Sequence, residues 1–141
     1  MEQYSIRDFS RMFDLPASTL RYYEEMGILT DVGRTPSGQR VYVQEHINRL
    51  RTICCFKHTG MSMAQLKQFF SYETDEPAHI EDVLNLLSDH KAQVQHQMQQ
   101  MQKAYEHVIR KLHYYGDIKK SLDAGKPLPD WEDYRDKVFE E

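Results

Sequence analysis

Hydrophobic residues in the first half of the chain recur every three or four positions, which is the spacing of one face of a helix. This pattern predicts four short helices, over Ser5 to Phe13, Ala17 to Met26, Gln44 to His58 and Ser62 to Phe70. Pro16, Gly27 and Gly60 separate the helices, because proline favours a helix start and glycine a helix end. A pair of short helices joined by a tight turn is typical of a helix-turn-helix motif.

The stretch between the second and third helices has a different pattern, which favours strands. Residues 41–43 are rich in β-forming side chains, and they follow the turn-forming pair Ser37-Gly38. We therefore predict a small hairpin here. Arg34 and Arg40 lie on either side of its tip.

From Ile80 to about Leu122 the apolar residues recur by sevens, which predicts one helix of roughly 40 residues, about 60 Å long. The two repeating positions are occupied by Leu84, Leu87, Val94, Met98, Met101, Tyr105, Val108, Leu112 and Tyr115. Such a helix is not stable alone in water and needs a partner helix, so the sequence predicts a coiled coil. Gly125 is expected to end it.

The expected fold is mainly α-helical and has three parts. Residues 1–73 are expected to form a small domain of short helices and a hairpin, and residues 78–124 a dimerisation helix. Residues 125–141 are expected to be a short polar tail.

Charge is distributed unevenly along the chain, whose net charge is -4. Residues 1–71 contain nine Lys and Arg against seven Asp and Glu, a net of +2, whereas the remainder contains nine against fifteen, a net of -6. A mildly basic first half allows nucleic-acid binding there. Because the excess is small, DNA contacts must come from particular residues rather than from bulk charge.

The second predicted helix contains the most informative run of residues, Ser18 to Glu24. In a helix-turn-helix motif the second helix enters the major groove of DNA. Thr19, Arg21 and Tyr22 fall on one side of this helix and can face DNA, whereas Leu20 and Tyr23 can face the core. Arginine can bind phosphate or base acceptors, and a tyrosine hydroxyl can donate to phosphate.

Several motifs, in order and at matching spacing, make residues 4–70 similar to the DNA-binding domain of the MerR family. They are Arg21-Tyr22-Tyr23-Glu24, Gly27-Ile28-Leu29, Arg34, Gly38, Arg40, Tyr42 and Gly60-Met61-Ser62 with Leu66. The long helix that follows resembles the antiparallel dimerisation helix of the same family.

The resemblance implies a homodimeric winged helix-turn-helix transcription regulator that binds a pseudo-palindromic promoter operator. It also implies that the dimer bends and untwists the operator, so that RNA polymerase can engage both promoter elements. Arg21 and Tyr22 match the family's recognition-helix contacts, and Arg40 and Tyr42 its wing contacts. The full set of expected DNA-binding residues is Ser18, Thr19, Arg21, Tyr22, Arg34, Gln39, Arg40 and Tyr42.

Two departures from the family pattern are visible. Ser18 stands where a basic or larger polar residue is more common, which affects the expected base preference and not the fold. Asp14 stands where glycine is usual, and aspartate tolerates the left-handed conformation that such a turn needs.

The cysteines are the candidate sensor residues. Helical phase places Cys54 toward the core and Cys55 about 100° away from it. The position of Cys55, five residues before Gly60, resembles that of the single cysteine in a MerR branch that responds to aldehydes and thiol stress. The alternative is that both thiols are small buried hydrophobic groups, as cysteines more often are.

Alternative functions follow from other features. An apolar ligand could bind among Met98, Tyr105, Tyr114, Tyr115 and Trp131, although such aromatic residues more often pack. A coiled-coil interaction module that has lost DNA binding is a further alternative.

Enzyme activity is not expected, because no phosphate loop, metal-ligand spacing or nucleophile elbow is present. No cofactor or metal is predicted, since no cysteine follows Cys55 and the helix histidines are expected at the surface or in the seam. No apolar run is long enough to span a membrane, and the adjacent cysteines form no disulfide framework, so a cytoplasmic location is expected.

Overall fold

The computed structural model describes residues 2–140, which form two compact units. The first unit extends to His90 and the second begins at Lys91. One helix, α5, belongs to both. The regular elements are α1 (Ile6–Phe13), α2 (Ala17–Glu25), β1 (Gly33–Arg34), β2 (Arg40–Val41), α3 (Gln44–His58), α4 (Met63–Ser71) and α5 (Ile80–Asp123).

Local capping explains where the short helices begin. The Ser5 side chain accepts a hydrogen bond from the Asp8 backbone, and the Asp8 carboxylate accepts one from the Ser5 backbone. Ser62 and Gln65 form the same reciprocal arrangement at the start of α4. Each pair satisfies two amide groups that have no partner within the helix, and this reciprocity specifies the first residue of the helix.

Left-handed backbone conformations mark the ends of the helices. Asp14 ends α1 with φ 51°, as expected from its position in the turn. Gly27, Gly60 and Gly125 also have positive φ, and they follow α2, α3 and α5. The four predicted short helices and their separating residues are therefore confirmed to within one or two residues.

The hairpin is short and antiparallel, with Gly33 opposite Val41 and Arg34 opposite Arg40. Gly38 has φ 88° in the connecting turn, which a residue with a side chain rarely adopts. The backbone groups of Tyr4 and Tyr42 pair with each other at 2.8 Å in both directions, so the chain's beginning is joined to the end of the hairpin.

A single apolar core fills the first unit. Its buried members are Phe9, Leu20, Tyr23, Ile28, Leu29, Tyr42, Ile47, Leu50, Ile53, Met61, Leu66 and Phe70. The ring of Tyr42 stacks on that of Phe9, with centroids 4.3 Å apart. Leu86 of α5 also packs against this core, which explains why the first unit includes the beginning of the long helix.

Helix α5 contains 44 residues, about 66 Å of helix, and it coincides with the predicted long helix. Near its end the Lys126 amide donates to the Ser121 carbonyl at 2.9 Å, which closes the last turn around Gly125. Two short 3₁₀ turns, Tyr72–Asp75 and Pro77–His79, connect α4 to α5.

Within residues 2–140, no helix is long and apolar enough to cross a membrane. No cluster of three or more potential metal ligands occurs in the same residues.

Candidate nucleic-acid interface

Helix α2 divides into a buried side and an exposed side. Leu20 and Tyr23 are buried in the core, as their spacing predicts. Ser18, Arg21 and Tyr22 are exposed, and 44% of Tyr22 is accessible. The residue types on the exposed side are those that donate to phosphate and to base edges.

The hairpin, which we call the wing (residues 33–41), is attached to α2 through one carboxylate. Arg34 Nη2 donates to Glu24 Oε1 at 2.7 Å, and Arg40 Nε donates to Glu24 Oε2 at 2.6 Å. Partial burial acts to raise the pKa of Glu24, but the hydrogen bonds from Arg40 and Arg34 outweigh it and lower the pKa. Glu24 therefore stays ionised and fixes both arginines beside the exposed side of α2.

Sequence reasoning missed this role of Glu24, although the residue lies in the motif that carried the resemblance. A signal was present: two arginines flank the hairpin, and Glu24 and Glu25 are the acidic residues of α2 that can pair with them. Only the folded chain shows that Glu24 accepts from both arginines.

The tip of the wing is exposed and internally hydrogen-bonded. The Thr35 amide donates to the Gln39 carbonyl at 2.8 Å, and the Gln39 amide donates to the Thr35 hydroxyl at 3.1 Å. These bonds engage only the backbone of Gln39. Gln39 is exposed and directly precedes Arg40 at the edge of the wing.

Tyr42 lies in a different environment from the one predicted. Its side chain is 0% exposed, and its hydroxyl is enclosed with no hydrogen-bond partner in the described part of the chain. Burial also raises the pKa of Tyr42. This burial disfavours a direct contact between the hydroxyl and a DNA phosphate, because packing on Phe9 holds the ring inside the core.

The two cysteines differ in exposure, as helical phase predicts. Cys54 is half-buried and packs against the core, and burial raises the pKa of its thiol. Cys55 is exposed in the last turn of α3. Its carbonyl oxygen accepts from the Thr59 amide at 3.2 Å and from the Thr59 hydroxyl at 3.1 Å.

The predicted coiled-coil residues form an apolar stripe along α5. Exposed members of the stripe range from Tyr105, at 44% accessible, to Met101, at 70%. The exposed set is Leu84, Met98, Met101, Tyr105, Val108, Leu112 and Tyr115, while Leu87 and Val94 are half-buried. An apolar surface of this extent is typical of a protein–protein interface.

The tail folds back on another side of α5 in the second unit. Tyr114 contacts the rings of Tyr115, Trp131 and Tyr134 at centroid distances of 5.2 to 5.3 Å. Lys111 Nζ lies 3.6 Å from the centroid of the Trp131 ring. These side chains pack against one another, which favours a structural role over the apolar ligand site that three of them were considered for.

Comparison with known protein families identifies the chain. The family description "MerR HTH family regulatory protein" matches residues 4–73, and "MerR, DNA binding" matches residues 47–110. Together they span residues 4–110, the greater part of the chain. The chain belongs to the MerR family. This MerR protein is a DNA-binding transcriptional regulator, and the family's members are regulators rather than enzymes.

Individual MerR relatives cover different parts of the chain. The regulator AdhR of Bacillus subtilis is 33% identical over 87 residues, which are 62% of this chain and 62% of AdhR. A Haemophilus influenzae HTH-type regulator is 28% identical over 116 residues, 82% of this chain and 86% of the relative.

A solved structure provides the corresponding comparison of folds. HiNmlR, described as a MerR family regulator lacking the sensor domain and bound to promoter DNA, is 26% identical, with a TM-score of 0.78. The match covers 89% of this MerR protein and 92% of HiNmlR. The mainly α-helical fold with a long C-terminal helix is therefore that of a MerR regulator.

Proposed function

We propose that this protein binds a pseudo-palindromic promoter operator as a homodimer and controls transcription by distorting that DNA. The observation that carries the proposal is the shared ion pair of Arg34 and Arg40 with Glu24, which holds the wing beside α2. A helix and a wing in fixed relation can contact the major groove and the neighbouring backbone together. The complex of HiNmlR with promoter DNA also supports the proposed binding to a promoter.

The proposed roles divide between positioning and base reading. Arg21, Tyr22, Arg34, Gln39 and Arg40 are proposed to contact phosphates. The exposed hydroxyl of Ser18 and that of half-buried Thr19, in the first turn of α2, are proposed to reach base edges.

The proposed homodimer forms through the apolar stripe. Burying this surface against a second copy removes the apolar side chains from water, which is the dominant favourable contribution to association. An antiparallel pair of α5 helices carries two DNA-binding domains, and two domains match the two halves of a pseudo-palindrome. We propose that residues 1–73 bind DNA and that residues 78–124 form the dimer. Residues 125–141 form the tail.

Distortion of the operator provides the regulatory step. Bending and untwisting cost several kcal/mol and are offset by protein contacts, so a small change in the dimer changes the DNA shape. We propose that the reshaped promoter allows RNA polymerase to engage both promoter elements. Because the partners are promoter DNA and RNA polymerase, the proposed site of action is the cytoplasm.

The first test is selection from random duplex DNA with the purified protein. We expect enrichment of one sequence with two-fold symmetry, bound by a dimer. Enrichment of a single asymmetric half-site would contradict the homodimer, and no enrichment would support the interaction-module alternative. Titration of the selected duplex at several salt concentrations then measures the number of phosphate contacts.

A thiol switch at Cys55 is the proposed sensor, and it could act in a stress response. The exposure of Cys55, beside half-buried Cys54, supports this assignment. With an aldehyde, the sulfur adds to the carbonyl carbon and the thiol proton passes to the carbonyl oxygen. The product is a hemithioacetal, and no oxidant is consumed.

Matched serine variants test the switch. We expect Cys55→Ser to abolish the response of a promoter reporter to formaldehyde, whereas Cys54→Ser retains it. Mass spectrometry of the treated wild type should locate the adduct on Cys55. A Cys55→Ser variant that responds like the wild type would overturn the thiol switch and leave the DNA-binding function intact.

A further inference from the structure

One histidine of α5 is buried in the first unit, contrary to the surface or seam position expected for the helix histidines. His90 is only 8% exposed. Its Nε2 lies 2.7 Å from the Thr59 hydroxyl, and its ring lies edge-on to Phe56 with centroids 5.7 Å apart. His90 thus joins the beginning of α5 to the end of α3.

The other ring nitrogen of His90 is unsatisfied. Nδ1 is enclosed and has no hydrogen-bond partner within residues 2–140. Buried polar atoms are normally hydrogen-bonded, and an apolar side chain could fill this space without the penalty. A residue that costs stability in this way is expected at functional positions, where geometry matters more than stability.

Thr59 connects this histidine to the backbone of the proposed sensor residue. Its amide and hydroxyl both donate to the Cys55 carbonyl, and the hydroxyl also lies 3.1 Å from the Phe56 carbonyl. With the hydroxyl proton directed at these carbonyls, His90 Nε2 is the donor to the Thr59 oxygen. Thr59 therefore provides a hydrogen-bonded link between the end of α3 and the side chain of His90, beside the ring contact of His90 with Phe56.

We propose that the Thr59–His90 hydrogen bond is a positioning contact that sets the rotation of α5 on α3 and transmits the state of Cys55 to the long helix. The proposal rests on the proposed function, because it requires the homodimer and the thiol switch. It identifies His90 and Thr59 as the residues that couple the sensor to DNA distortion.

The directionality of a hydrogen bond is the physical basis of this role. Leu86 lies one turn before His90 and packs against the core through apolar contacts, which tolerate rotation of the helix. The hydrogen bond to Thr59 weakens steeply with misalignment and so specifies one rotation. In a dimer joined through α5, that rotation determines where each DNA-binding domain lies.

The test uses the full-length protein and the selected operator, with 2-aminopurine at its centre as a reporter of base unstacking. Thr59→Val removes the hydroxyl with nearly the same shape, and Thr59→Ser restores it. His90→Leu removes the imidazole. Operator affinity, the 2-aminopurine signal of the bound complex and the melting temperature are measured with and without formaldehyde.

We expect Thr59→Val and His90→Leu to lower the formaldehyde-induced change in the signal by about five-fold or more, the usual lower range of coupling between sites. Both variants should also alter the signal of the untreated complex. Operator affinity should stay close to that of the wild type, and Thr59→Ser should behave like the wild type. His90→Leu should melt at the same temperature or higher.

Other outcomes separate this inference from the proposed function. A Thr59→Val variant with unchanged signals in both states would overturn the positioning contact. Parallel loss of melting temperature, affinity and signal would overturn it as well, because that result indicates a merely structural role. If Cys55→Ser still responds to formaldehyde, the thiol switch is wrong, and the signal of the untreated complexes still decides the role of His90.

Discussion

The two units of this protein differ in how far they bury their apolar side chains. The first unit buries its hydrophobic residues in one core closed by α1 to α4, the hairpin and the first turns of α5. In the second unit, Ile109 is the buried hydrophobic residue among the described positions, and most of the stripe is exposed. The first unit buries its own hydrophobic pattern, whereas the stripe of the second is exposed, as expected for the proposed dimer interface.

This difference shows that a periodic apolar pattern predicts which side of a helix is covered. It does not predict whether the same chain or a second chain covers it. The apolar sides of α1 and α3 are buried within the first unit, because short loops bring the two helices together. The seven-residue spacing of α5 extends over about 66 Å, and among the described residues the next longest helix, α3, has 15 residues. The same kind of sequence signal therefore predicts a core in one unit and an interface in the other.

The largest predicted effect comes from charging the stripe. Met101→Lys combined with Leu112→Lys places charges in the proposed interface, where they would be desolvated without a partner. We expect monomers by analytical ultracentrifugation and a loss of operator affinity of about 100-fold or more, because two linked sites bind far more tightly than one.

The control for this experiment is Gln99→Lys, which adds charge to another side of the same helix. It should remain dimeric and bind the operator normally. The first unit of the double variant should keep its thermal transition, since neither substituted residue belongs to its core. If the double variant remained dimeric, the stripe would not be the dimer interface, and the contrast drawn between the two units would be wrong.

A smaller effect is predicted for the wing. Arg40→Ala should weaken binding to all duplex sequences by about ten-fold, the value of one charge-assisted hydrogen bond. The salt dependence should fall by about one unit, as expected for the loss of one phosphate contact. Arg135→Ala, in the exposed tail, removes the same charge as a control. Loss confined to the selected operator would mean that Arg40 reads bases instead.

Much of the fold could be predicted because its signals are local. Helix caps, helix-ending residues and helical phase depend on neighbours within a few positions. From these signals the helices and the different environments of Cys54 and Cys55 could be predicted. The roles of Glu24, Tyr42 and His90 depend on contacts with residues distant in the sequence. Glu24 bonds to arginines ten and sixteen residues away, and His90 to a hydroxyl thirty-one residues away.

Tyr42 shows why the candidate site was harder to predict than the fold. A tyrosine next to Arg40 is suited both to a phosphate contact and to a core position. Its place in the sequence carries no information on which way the ring points. Pairing of Tyr4 with Tyr42 and stacking on Phe9 decide the orientation, and both contacts involve residues more than thirty positions earlier.

A matched pair of phenylalanine variants tests this distinction. Tyr42→Phe removes a buried hydroxyl without a partner, so we expect it to raise the free energy of unfolding by about 1 kcal/mol and to leave DNA affinity unchanged. Tyr22→Phe removes an exposed hydroxyl, and we expect unchanged stability with weaker DNA binding. Denaturant titration and DNA titration of both variants measure the two quantities. The reverse outcome would restore Tyr42 to the DNA interface.

The smallest predicted effects concern the packing of the tail on α5. Lys111→Ala removes a cation from the face of Trp131, and at such a site the expected cost is about 0.5–1 kcal/mol. Because Trp131 is the only tryptophan, its fluorescence reports this contact directly. The emission of the variant should shift toward that of exposed tryptophan, while the first unit melts unchanged. An unchanged spectrum would show that the cation does not hold the indole.

The same reporter follows a pH dependence. The hydrogen bond from the Tyr134 hydroxyl to Asp117, 2.6 Å long, raises the pKa of Tyr134 to about 12. A raised pKa favours the neutral form in the folded state, so this stabilisation is complete below pH 10 and is lost as the pH rises toward 12. Trp131 emission should therefore change in that interval, and Tyr134→Phe should abolish the change. A transition of equal size in the variant would exclude Tyr134 as its source.

The attachment of Leu86 and His90 to the first unit also affects how the protein folds during synthesis. Starting a helix is slow and unfavourable, whereas extending one is fast. Amino-terminal domains fold first as a chain leaves the ribosome, so the first unit can provide α5 with turns that are already formed. Each new residue then extends an existing helix, and the apolar stripe emerges on a rigid surface. In the proposed dimer, pairing with a second chain would therefore begin from a formed helix, and a disordered hydrophobic segment would be exposed only briefly.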